Sequence, residues 1–182
     1  MKFNSHHDLK GAHAILGAST YHWLNYDENR IREYFNKMKL KERGTRLHNL
    51  AAELIELRVK MPDNNITFNR YVNDGIAFRM TPEQVLYYSE FCFGTADSIS
   101  FRKNKLRIHD LKTGSLPASM RQLEIYAALF CLEYDYIPGE INIELRLYQN
   151  DEIIKEEPGP DVILPIMDKI QEYTKLLRTI GG

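Results

Sequence analysis

Cysteine is scarce in this chain. Cys92 and Cys131 are the only two, they lie far apart in apolar runs, and no C-x-x-C occurs. A structural zinc or iron–sulfur site is therefore not expected, and two buried free thiols are. No window approaches the roughly 18 apolar residues that a membrane span needs, and the opening MKFNSHHDLK has no apolar h-region. The expectation is a cytoplasmic protein without membrane contact. Neither sign of charge dominates: the formal net charge is −1 and the sequence pI is about 6.6. That balance excludes a globally basic nucleic-acid coat, but it leaves room for a local basic groove beside a carboxylate cluster. Repeats and low-complexity linkers are also missing, so residues 1–182 are expected to form one domain.

The hydrophobic fraction, 43%, is enough for a sizeable core. Residues 1–80 predict helices. One is capped by Ser19 and carries Trp23, Tyr26, Ile31 and Phe35. A second is capped by Thr45 after a break at Gly44, buries a face of Leu47, Leu50, Leu54 and Leu57, and stops at Pro62. A third follows over 65–80. Residues 82–136 change texture: 85–93, 96–102 and 105–112 are rich in β-branched and aromatic residues and predict three strands. Residues 118–134 then form a helix with Leu123, Tyr126, Ala127 and Phe130 inward, ended by Pro138 and Gly139. In residues 140–180 a hairpin turning at Gln149 to Asp151 precedes a break at 158–165 and a closing amphipathic helix. The predicted class is α+β, a short mixed sheet flanked by helices.

The chemistry concentrates in residues 94–114, GTADSISFRKNKLRIHDLKTG. Adjacent strands joined by a tight turn bring Asp97 and Asp110 to one end of a sheet. Strand alternation puts Lys112 on the face of Asp110, with His109 and Leu111 on the other. Two carboxylates invite a divalent cation, and hard oxygen ligands favour Mg²⁺ or Mn²⁺ over zinc. A lysine beside them can orient or deprotonate an attacking water and stabilise a phosphorane-like transition state. A bare D-x₁₂-D-x-K is more often a solvated aspartate pair with a salt-bridging lysine.

The company these residues keep is more specific. Gly94 to Asp97 (G-x-x-D), Asp110-Leu111-Lys112-Thr113-Gly114 (D-x-K-T-G), Gln122 to Tyr126 (Q-x-x-x-Y) and, upstream, Gly44-Thr45-Arg46-Leu47-His48 (G-T-x-x-H) follow one another in a fixed order. In this the chain resembles the RecB-like, lambda-exonuclease-like branch of the PD-(D/E)xK nuclease superfamily. The segment HAILGASTYHWLNY is similar to the start of phage-encoded members, with Tyr26 where a cysteine often stands. The iron–sulfur cysteines of the more elaborate relatives are missing.

The resemblance implies an α/β/α restriction-endonuclease-like core and a Mg²⁺-dependent deoxyribonuclease, an exonuclease of phage or bacterial recombination and DNA-end processing. Asp97 and Asp110 become metal ligands, His48 a further ligand, and the Leu111 carbonyl completes the shell. Lys112 becomes the catalytic lysine, while Gln122 and Tyr126, four apart on one helix, reach the same phosphate or brace the lysine. Glu90 is a candidate carboxylate for a second metal. Arg43, Arg46, Lys103, Lys105 and Arg121 are candidate DNA contacts, and Tyr21 or Trp23 a candidate base stack, with a core role the commoner reading for Trp23. His6, His7 and His13 are too irregularly spaced for a metal site. Ring-shaped relatives make a homo-oligomer or a recombination partner protein conceivable. The competing class is a non-catalytic nucleic-acid- or protein-binding module on the same fold, which usually lacks the lysine or one carboxylate. An RNA or defence nuclease would keep the chemistry and change the substrate.

Overall fold

A computed structural model describes residue 16, residues 18–114 and residues 118–181. Where one domain is expected, contacts divide the chain into two compact units, Met1–Arg43 and Gly44–Gly182. In the first, Ser19 lies in a 3-10 helix, Ala18–Asn25, and does not open the long helix α1, Glu28–Glu56. Asp27 does that: its Oδ1 accepts the Arg30 N–H at 2.8 Å, satisfying one of the orphan donors of the first turn. Arg30 lies over the Tyr26 ring, and Tyr26 meets Tyr34 edge-on.

Helix α1 continues through the expected break at Gly44. A single interior glycine costs only about 1 kcal/mol, and here it has a packing reason: a Cβ on Gly44 would meet Thr113 Oγ1 at 2.8 Å. The buried stripe also differs from the leucine face expected. Gly44, Ala51 and Ile55 are buried, whereas Leu50 and Leu57 are 44% and 65% exposed. His48 falls on that inward stripe, at helical spacing from Gly44, Ala51 and Ile55.

The second unit is α+β. Helix α2, Thr67–Ala77, precedes strands β1, Thr81–Ser89, β2, Cys92–Arg102, and β3, Lys105–Leu111; helix α3, Arg121–Glu133, leads to β4, Asn142–Gln149, β5, Glu152–Glu156, and helix α4, Pro160–Gly181. The five-stranded sheet has the order β1-β2-β3-β4-β5, parallel between β3 and β4 and antiparallel elsewhere. One cluster packs α3 and α4 on the sheet around Leu106, Ile108, Leu123, Leu129, Leu145 and Ile163; a smaller one packs Ala51, Ile55, Tyr71 and Val72 on Leu111 and Tyr148. Among the described residues no helix is long and apolar enough to cross a membrane.

Two helix ends and two boundaries correct expectations. Neither Pro62 nor Pro138 with Gly139 stops a helix. α1, α2 and α3 end on the left-handed residues Arg58, Arg79 and Asp135, with the next amide reaching back to Leu54, Gly75 and Cys131. Those bonds satisfy carbonyls that the last turn leaves orphaned. The strand expected over 85–93 is cut by a turn at Glu90 and Phe91, and α4 starts five residues before Pro165 and runs through it. Near its start a helix loses only one hydrogen bond to that proline.

Candidate functional site

Asp97 on β2 and Asp110 on β3 stand side by side one step beyond the Ser98–His109 pair, and side chains from four further places converge on them. Lys112, just past β3, places Nζ 3.1 Å from Asp110 Oδ1 and 3.0 Å from Oδ2. The same ammonium donates to Gln122 Oε1 at 2.8 Å, and Gln122 Nε2 donates to Tyr126 Oη at 3.0 Å. The Q-x-x-x-Y face of α3 thus holds the lysine. Asp97 Oδ2 accepts the Leu111 N–H at 2.9 Å and lies 3.3 Å from His48 Nδ1 on α1.

The motif glycines have a physical role in this assembly. A Cβ on Gly94 would meet Tyr126 Cε1 at 2.9 Å, and one on Gly44 the Thr113 hydroxyl. The glycine of G-x-x-D lets the tyrosine ring of Q-x-x-x-Y lie against β2. The glycine of G-T-x-x-H lets α1 approach the loop that carries Lys112.

Glu83 is the residue that sequence reasoning missed. His48, Glu83 and Asp97 each offer a ligand atom, all within 4.8 Å of one another. Glu83 has φ +50° inside β1 and drops out of the pairing between Pro82 and Gln84. A left-handed glutamate within a strand costs about 1–3 kcal/mol, a strain that persists only where the surroundings enforce it. Period-two patterning carries no signal for such a residue. Glu90, the carboxylate that the sequence favours for a second metal, is at the far end of β1, paired with Arg178 at 3.3 Å. Seven strand residues separate it from Glu83, about 23 Å at 3.3 Å each.

The electrostatics are those of carboxylates short of positive charge. Asp110 is 1% exposed. Its burial, and next the neighbouring Asp97, push its pKa up despite the opposing pull of Lys112. Burial and Asp97 likewise raise Glu83. The hydrogen bond to Asp97 raises His48 above an ordinary imidazole, against the effect of its burial. Asp110 Oδ2 is buried and accepts no hydrogen bond of sound geometry, although Lys112 is close. His48, Glu83 and Asp97, with Asp110 beside Asp97 on the neighbouring strand, are a donor set, mostly hard oxygen, that fits Mg²⁺ or Mn²⁺.

The remaining candidates divide by position. Arg46 is exposed on α1 two residues before His48, and Arg121, beside Gln122, is paired with Glu124 at 2.8 Å. Arg43 belongs to the first unit. Lys103 and Lys105, expected to flank the site, sit at the β2–β3 turn, five strand residues and about 17 Å from Asp110. His109 is fully buried on the opposite side of β3, against Phe78 and Tyr148. The Leu111 side chain is likewise buried, in the smaller cluster. Trp23 is half-buried; the Tyr21 side chain and His6, His7 and His13 lie outside the described residues. Cys131 is a buried free thiol and Cys92 a half-buried one. No family model matches the chain, and no curated protein does.

Proposed function

We propose that this chain is a divalent-cation-dependent DNA nuclease that hydrolyses phosphodiester bonds. The observation that carries the reading is that Asp97, Asp110, Lys112, Gln122, Tyr126 and His48, six residues of four separate motifs, meet in one cluster built around a pair of adjacent aspartates, of which Asp110 is buried. A solvated surface pair would need none of this. The preference for DNA, and for an exonuclease of recombination or end processing, comes from the resemblance of those motifs to the RecB-like nucleases.

Asp97, Glu83 and His48, with Asp110 and the Leu111 carbonyl as further donors, would hold a divalent cation, which would supply Lewis-acid charge to the scissile phosphate. The protein groups do the rest. Lys112 brings a fixed positive charge, and a proton carrier, to the edge of the carboxylate pair. Gln122 takes one of its donors and restricts its orientation; Tyr126 in turn fixes the Gln122 amide. Neutralising a dianionic transition state is worth most where the ammonium need not reorganise, and this relay provides that. Arg46 and Arg121 lie next to residues of the site and suit phosphates neighbouring the scissile one. The complete set of carboxylates and lysine favours catalysis over a binding module on the same fold.

Cleavage of end-labelled single- and double-stranded linear DNA and of closed circular DNA, with Mg²⁺, Mn²⁺ or EDTA, tests the reading. Metal-dependent loss of linear DNA is expected, and survival of the circle identifies an exonuclease. Lys112→Ala should lose cleavage while still folding and binding metal, whereas Asp97→Ala or Asp110→Ala should lose metal binding as well. A Lys112→Ala protein that cuts as well as wild type would refute the assigned role. A folded wild type that retards DNA but cuts no substrate would turn the reading to a binding module.

A further inference from the structure

A second concave site lies at the other end of the sheet. A cavity of about 280 Å³ is lined by Phe78, Arg79, Arg102, Lys103, Lys105 and Arg107, with no carboxylate in its lining. The cations come from the C-terminal cap of α2, the end of β2, the β2–β3 turn and the start of β3. Gathering five of them on a chain of net charge −1 is not a by-product of composition. Arg102 and Lys105 are direct cross-strand partners, a like-charge pairing that destabilises a hairpin. Lys105 and Arg107 are tied down by nearly buried Glu144, at 2.7 and 3.3 Å, and Lys105 also by Glu157 at 3.3 Å. The Arg107 guanidinium is further held over the Phe78 ring at 4.6 Å. Arg79, Arg102 and Lys103 are exposed and have no ion pair among the described residues.

We propose that this pocket is a phosphate site that takes a group of pyrophosphate size, from a free polyphosphate or from a nucleic-acid backbone. Arg79, Arg102 and Lys103 are the three lining cations with no ion pair among the described residues, so about three positive charges await a ligand. A diphosphate supplies that charge, and a single carboxylate does not. Guanidinium forks bind phosphate oxygens in pairs, and two of the forks' neighbours are already immobilised by Glu144 and Phe78. The cavity, about 280 Å³, has room for a diphosphate. The pocket is on the α2 side of β3, opposite the face that carries Asp110, and its lining residues on β3, Arg107 and Lys105, are about 10 and 17 Å along the strand from Asp110, so it is separate from the metal-ligand cluster and does not depend on the nuclease reading.

The test is calorimetric titration of the full chain in EDTA, with pyrophosphate and, separately, with an octathymidylate lacking terminal phosphates, at ionic strength matched with NaCl. EDTA removes the metal chemistry, so failure here and failure of the nuclease reading are distinguishable. Pyrophosphate should bind, and the Arg102→Gln/Lys103→Gln double variant, altered only at exposed positions, should bind about tenfold more weakly or worse. Arg79→Gln should weaken it in the same direction. Octathymidylate binding that the double variant also loses identifies the backbone as the source; binding of pyrophosphate alone identifies a free polyphosphate. Pyrophosphate affinity that is undetectable, or equal in wild type and double variant, overturns the proposal.

Discussion

Glu144 carries more charge partners than any carboxylate of the proposed metal cluster. It is 2% exposed and lies within 4 Å of Lys105, Arg107, Arg146 and Lys155. Burial alone would raise its pKa, but the Lys105 hydrogen bond and the Arg146, Lys105 and Lys155 charges bring it down to about 2. A carboxylate depressed from the ordinary 4.5 contributes stability above about pH 4.5 and loses it as pH falls toward 2. At roughly 1.4 kcal/mol per unit that contribution is about 3 kcal/mol. Glu144→Gln should therefore cost about 3 kcal/mol in urea unfolding at pH 7, and the deficit should shrink at pH 3. A deficit constant with pH would assign the loss to packing. Glu83 makes the complementary case at the metal cluster. Glu83→Gln keeps shape and removes one ligand charge, so half-saturation of cleavage by Mg²⁺ should rise about tenfold or more while maximal rate at saturating Mn²⁺ largely returns. An unchanged Mg²⁺ titration would remove Glu83 from the ligand set.

At the scale of elements, the four motifs act as mutual spacers. Gly94→Ala introduces a Cβ that meets Tyr126 at 2.9 Å, on a backbone held in register by its pairing with Leu86 of β1. The overpacking should cost about 1–3 kcal/mol, and displacement of the ring should loosen the Gln122–Lys112 relay and lower cleavage. In a Tyr126→Ala background most of the stability cost should vanish; a double-mutant cycle showing simple additivity would mean that the ring does not meet the new methyl. The sequence carries the element types well, because stretches such as 121–133, buried along one face, and 142–149, a β-rich run buried on both, leave strong apolar patterns. It carries boundaries poorly, because α1, α2 and α3 end on Arg58, Arg79 and Asp135, left-handed positions where glycine is the readable signal. Asp97, Asp110 and Lys112 were legible because strand pairing and alternation bring them together. Glu83 was not, since its backbone departs from the strand it belongs to. Lys103 and Lys105 were misplaced because nearness to Asp110 in sequence becomes about 17 Å along an extended strand.

At the scale of the molecule, the carboxylate cluster stores instability that a cation would relieve. Asp110 is buried, its pKa is pushed up by that burial and by Asp97, and Lys112 offsets only part of the shift. A cation that binds the folded chain and not the unfolded one stabilises it by mass action, about 2.7 kcal/mol at a hundredfold excess over its dissociation constant. For a chain of this size each kcal/mol moves the midpoint by about 2–4 °C, so saturating Mg²⁺ or Mn²⁺ should raise Tm by roughly 5–10 °C. EDTA should reverse the shift. Asp97→Asn, which keeps the volume of the side chain and removes a ligand charge, should abolish most of it. Lys112→Ala should leave the shift in place, since the lysine adds positive charge to the cluster and ligates nothing. This separation of roles does not depend on cleavage. A wild-type Tm indifferent to both cations would mean that the orphaned Asp110 oxygen is satisfied by Lys112 alone, and the cluster would then be a structural ion pair without a metal.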